Sequence, residues 1–148
     1  RLDAATIADT VNTASRIESL TKYYGTRILL SEDSLRLIPH TAGKAGFRFR
    51  YLGKVQVKGK LDALGIYECF DGDPPEQIEA KAGSASAFAS GVEAYFQKDF
   101  QAAEEAFITV LAQNPEDHPA RLFLDKARQF ILGNVPPSWT GVEKMEVK

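Results

Sequence analysis

Two groups of residues in this chain have the types and spacing to act on a phosphate. Asn12 and Arg16 lie four apart in the segment Asp9 to Tyr24, whose apolar positions Val11, Ala14, Ile17 and Leu20 fall at helical spacing. That spacing puts the amide and the guanidinium on one face of a helix, away from its apolar stripe. An arginine fork suits charge that builds on a phosphate oxygen, and an amide beside it can hold an attacking group or a ribose in line. The second group is the basic set Arg48, Arg50, Lys54, Lys58 and Lys60, with Lys58 next to a glycine at a turn, where a triphosphate can approach the backbone closely. By spacing alone, each group also suits an ordinary solvated surface, a polar helix face in one case and an exposed strand face in the other. Nucleic acid is not an expected partner, because no aromatics are interleaved on the basic face and the net charge is −2.

The elements that must position these residues follow from the pattern on either side. Gly25 ends the first helix, Thr26 to Leu30 suits a short buried strand, and Ser31 suits the N-cap of a short helix over Glu32 to Leu37. Pro39 to Gly46 reads as a loop. Phe47 to Lys58 alternates, with Phe47, Phe49, Tyr51, Val55 and Val57 on one side and Arg48, Arg50, Lys54, Gln56 and Lys58 on the other. A turn over Lys58 to Asp62 and a second strand over Leu64 to Phe70 complete a hairpin. Residues 71–83, with Pro74, Pro75 and four acidic side chains, read as a linker. Beyond it the period becomes helical over Ala87 to Gln97, Phe100 to Gln113 and Pro119 to Leu132, and residues 133–148, with Trp139, read as an irregular tail.

Composition narrows the classes further. With 148 residues, 44% hydrophobic and 26% charged, the chain has the makeup of a globular protein and not of a fibre or a low-complexity tail. No apolar run approaches the roughly 20 residues that a membrane span needs. Cys69 is the only cysteine, so an intramolecular disulfide and a cysteine-rich zinc site are both excluded, and His40 and His118 have no metal-ligand spacing around them. The charge is uneven: residues 1–70 carry 11 Lys/Arg against 7 Asp/Glu, and residues 71–148 carry 7 against 13. Two halves with different partners are consistent with that split. Because Arg1 runs straight into a patterned segment, a piece of a longer chain is expected.

The run Asp9-Thr10-Val11-Asn12-Thr13-Ala14-Ser15-Arg16-Ile17-Glu18-Ser19 resembles the helix motif of class III nucleotide cyclases, and Val57-Lys58-Gly59-Lys60 resembles the hairpin motif of the same family. The two occur in the family's order with a strand and a helix between them. The resemblance covers residues 1–70 and implies the C-terminal half of a catalytic domain. By it, Asn12 and Arg16 serve the transition state, Lys58 binds the triphosphate, and Arg27 stands where some members contact phosphate. Ala5 occupies a position at which the family reads the purine, with Thr6 adjacent, and Ala8 replaces a usual glycine. ATP is favoured over GTP as substrate, although Ala5 leaves the base preference open. The resemblance implies Mg or Mn in the full-length enzyme, held by aspartates upstream of Arg1, so no metal ligand is assigned in this chain and none is expected to be bound by it alone.

A second resemblance follows the linker. Gly91, Asp99, Phe100, Ala103, Phe107 and Pro115 are spaced as in one tetratricopeptide repeat, and Val135 to Val142 resembles the ending of many bacterial cyclases with a helical extension. The expected fold is therefore α+β: the C-terminal half of a ferredoxin-like cyclase domain over 1–70, a linker over 71–83, and an all-α helical hairpin with a capping helix over 84–132. The implied function is that of a bacterial adenylate cyclase fragment, inactive alone, cytoplasmic, and paired as a homodimer or a strand-exchanged assembly. The parent could be anchored to a membrane upstream, and the helices could take a protein partner. A competing reading is a non-catalytic interaction module built on a degenerate half domain.

Overall fold

The computed structural model describes residues 20–37, 48–57, 62–133 and 135–145. Residues 20–24 form the end of a helix, α1, which stops at Gly25 with φ +66. The Thr26 N–H donates to the Thr21 carbonyl at 3.0 Å, the closing bond of a helix that ends on a left-handed glycine. Strand β1 (Leu29–Ser31) runs into helix α2 (Glu32–Arg36), and the Ser31 side chain accepts from the Ser34 N–H as the N-cap. Strands β2 (Phe49–Val57) and β3 (Ala63–Cys69) pair antiparallel. The expected strand, cap and hairpin strands therefore appear close to their predicted places.

Two departures come in the second half of the chain. The stretch expected as a linker contains helix α3 (Pro75–Gly83), begun by Pro75 in its first turn. Two prolines at a helix start cost no intrahelical bond, so the signal read as a breaker marks a beginning. The tail expected to be irregular contributes β4 (Glu143–Met145), which pairs parallel to β2 along Val55–Val57. The sheet order is β1-β3-β2-β4.

Helices α4 (Ala85–Phe96), α5 (Phe100–Gln113) and α6 (His118–Leu132) match the expected periods to within two residues at each end. Asp99 caps α5 through the Ala102 N–H and Asp117 caps α6 through the Ala120 N–H. Helix α4 packs on α5 and α5 on α6. Gly91 permits this approach, since a Cβ there would lie 2.7 Å from Phe107 Cζ. Phe107 in turn stacks on Phe123, their ring centres 5.2 Å apart, and Tyr95, Phe100, Phe130 and Trp139 form a second aromatic group beside them.

One core runs through both halves. Leu20, Tyr24, Leu52, Val55 and Ile66 belong to the same buried cluster as Phe88, Val92, Tyr95, Phe107 and Phe123. The architecture is α+β, with the helices laid on one face of a small, mainly antiparallel sheet. Among the described residues, no helix is long and apolar enough to cross a membrane.

Candidate functional site

Of the candidate residues, Arg27 lies within the described structure. Asn12, Arg16, Lys58, Ala5 and Thr6 lie outside the described residues. Arg27 follows the glycine that ends α1 and sits in the connection to β1, its side chain 64% exposed and its Nε 3.8 Å from Asp73 Oδ1. An exposed guanidinium of this kind is open to an anion. Thr26, just before it, is buried, and its hydroxyl has no hydrogen-bond partner.

Asp73 leads inward to a chain of charges that the alternating pattern did not anticipate. Asp73 Oδ2 accepts from Lys81 Nζ at 2.5 Å, and the same ammonium donates to Glu68 Oε1 at 2.6 Å. Glu68 Oε2 accepts from Arg50 Nε at 2.5 Å. Arg50 then donates from Nη1 and Nη2 to both oxygens of Asp117, at 2.7 and 2.8 Å. All five side chains are at least nine-tenths buried. The Arg50 guanidinium also lies 4.0 Å from the centre of the Phe88 ring, a cation–π contact. Burial alone would push the Arg50 pKa down, but the bonds and charges of Asp117 and Glu68 outweigh it and hold the pKa above its ordinary value.

The local sequence explains why Arg50 turns inward. Leu52 is an extra residue in β2: Tyr51 pairs with Tyr67 and Gly53 with Ile66, so a bulge falls between them, with Gly53 at φ +105. One added residue reverses the alternation. Val55 is buried as expected, but before the bulge the inner positions are Arg50 and Leu52 instead of Phe49 and Tyr51. Arg50 then stands directly across from Glu68, its register partner. The expected basic face is thereby dispersed: Arg48 pairs with Asp71 at 2.9 Å, Arg50 is internal, Lys54 is exposed, and Lys58 and Lys60 lie outside the described residues.

Chemically, this chain of alternating charges holds parts in place. Each carboxylate in it is already taken by a cation, and among the described residues no group of three or more His, Cys, Asp or Glu could hold a metal ion. A cleft of about 700 Å³ also opens between β2 and α4, with Tyr51, Val92 and Phe96 in its walls, and Arg27 takes no part in it. Sequence reasoning missed Glu68, Lys81, Asp73 and Asp117. Glu68 carried a readable sign, since it falls in phase with Leu64, Ile66 and Phe70 on the inner face of β3, where an acid needs a buried cation.

No protein-family model and no solved structure matches the chain. Curated adenylate cyclases do. The chain is 29% identical over 131 residues to the terminal-differentiation-specific adenylate cyclase of Dictyostelium discoideum, a match covering 88% of this chain and 6% of that protein. It is 46% identical over 69 residues to an adenylate cyclase of Anabaena cylindrica, covering 46% of this chain and 13% of the relative. Adenylate cyclase 1 of Rhizobium meliloti is 41% identical over 68 residues, covering 46% and 10%. The chain thus spans about a tenth or less of the Dictyostelium and Rhizobium proteins and little more of the Anabaena one. The Dictyostelium match is too long to be confined to the sheet-forming half, so it takes in helices as well. These similarities support a cyclase family for this chain.

Proposed function

We propose that this chain is part of a class III adenylate cyclase that converts ATP to 3′,5′-cyclic AMP and pyrophosphate, and that it supplies one half of a site formed between two copies. The observation that carries this reading is its similarity to three proteins named adenylate cyclase, together with the two motifs at 9–19 and 57–60. In the reaction the ribose 3′-oxygen bonds to the α-phosphorus, the bond from that phosphorus to the bridging oxygen breaks, and pyrophosphate leaves. Arg16 meets the charge that grows on the phosphoryl oxygens, Asn12 orients the ribose, and Lys58 and Arg27 hold the β- and γ-phosphates. The described carboxylates do not form a site for the Mg or Mn that the family resemblance implies, so each step above belongs to the chain's own side chains.

The test is made in the full-length protein. Arg16→Ala should lower kcat by about 10²–10³ with little change in KM, because the charge it meets exists mainly in the transition state. Lys58→Ala should raise KM for ATP as well, since the triphosphate carries its charge before the reaction begins. If both variants keep the parent's kcat and KM, the reading gives way to that of a non-catalytic interaction module.

A further inference from the structure

The start of α6 reaches the Arg27 connection by two independent routes. One is direct packing: a Cβ added to Gly25 would lie 2.7 Å from His118 Cδ2, so the turn that leads into Arg27 rests on the first residue of α6. The other is the buried charge chain, which passes from Asp117 through Arg50, Glu68, Lys81 and Asp73 to Arg27. It joins four elements, α6, β2, β3 and α3, and ends at the surface on the exposed guanidinium. Each internal member is held from both sides, so a displacement at one end has no slack to absorb it. Only Arg27 is exposed enough to bind an outside anion.

We propose that Asp117 is a positioning residue for Arg27, and that the helical layer thereby tunes how tightly the cyclase half holds the triphosphate of ATP. The inference rests on the reading of Arg27 as a phosphate-binding group. The helices α3–α6 are then a brace for the substrate site, and the segment that precedes α3 transmits their position. Asp117 itself does not touch substrate.

The experiment is a double-mutant cycle in the full-length protein, read as KM for ATP and kcat. Asp117→Asn keeps an N-cap side chain and the shape of the site but loses the charge. It should raise KM at least threefold and leave kcat within twofold. In an Arg27→Ala background, the same substitution should leave KM unchanged, because Asp117 acts through Arg27. A general loosening of the fold would instead raise KM in both backgrounds, and that result overturns the proposal. Thermal unfolding of each variant accompanies the kinetics. If Asp117→Asn does not fold, Arg50→Lys replaces it in the cycle, since it keeps the charge and loses the paired bonds. If Arg27→Ala leaves KM unchanged while Lys58→Ala raises it, the cyclase reading stands and this inference fails. If the parent makes no cyclic AMP, both fall.

Discussion

Arg50 and Asp117 meet through two parallel bonds, Nη1 to Oδ2 at 2.7 Å and Nη2 to Oδ1 at 2.8 Å, with both side chains almost closed to solvent. One comes from the sheet and the other from the first turn of a helix, so the pair joins the two layers. Removing one partner strands a buried charge. Asp117→Ala should destabilise the chain by about 3–5 kcal/mol, a loss that includes the helix cap. Urea unfolding followed by Trp139 fluorescence checks it, and a loss below about 1 kcal/mol would mean that the pair is not buried as described.

Gly53 is constrained twice over. It holds φ +105, and a Cβ there would come 2.4 Å from Phe96 Cζ. Gly53→Ala should therefore cost about 1–3 kcal/mol by straining the bulge and displacing the ring. An unchanged melting temperature in the variant would count against the bulge.

Thr26 gives the opposite expectation. Its hydroxyl is buried without a partner, so an apolar group of the same shape should be tolerated better. Thr26→Val is expected to stabilise the chain by about 1 kcal/mol, seen as a higher midpoint in denaturant. A lower midpoint would show that the hydroxyl has a partner after all.

Alkaline pH should unfold the protein. Burial raises the pKa of Tyr23, Tyr24, Tyr51 and Tyr95 above the ordinary 10.0, with neighbouring tyrosines adding to the effect at Tyr24. The folded chain keeps these protons where the unfolded chain releases them. Their contribution is thus complete below pH 10.0 and is lost as pH rises towards the folded values. Lys126 works in the other direction, because burial lowers its pKa and the cost of its charge fades as pH rises. Melting temperatures between about pH 8 and 11 should fall on the alkaline side, and less steeply in Tyr95→Phe. Equal slopes in the two proteins would show that Tyr95 is not the buried phenol described.

How much could be read in advance differed by the kind of signal. Ser31 as a cap, Gly25 as a helix end and the periods of α4–α6 are local properties, and the structure places them as expected. The bulge at Leu52 was hidden, because a single inserted residue leaves no compositional mark while it reverses the faces of everything before it. Lys81 and Asp117 are separated in the chain from the residues they hold, and no local pattern announces such partners. The prolines at 74 and 75 were ambiguous for another reason: the same residue that breaks a helix also begins one. The motif residues Asn12, Arg16 and Lys58 remain expectations of the resemblance, since they lie outside the described residues.

The parallel pairing of β4 with β2 also sets an order of events during folding. Val55 is made early, while its partner Glu143 follows only after all of α3–α6. On a ribosome, the outer edge of β2 therefore waits for almost the whole of this chain to emerge before β4 can close it. Helices rich in local contacts can form in that interval, but the last strand must find its place across a long loop, which is slow. An unpaired β2 edge is meanwhile open to another chain. Conditions that delay synthesis between α3 and β4 should thus promote aggregation of the nascent protein, even where they leave the finished fold untouched.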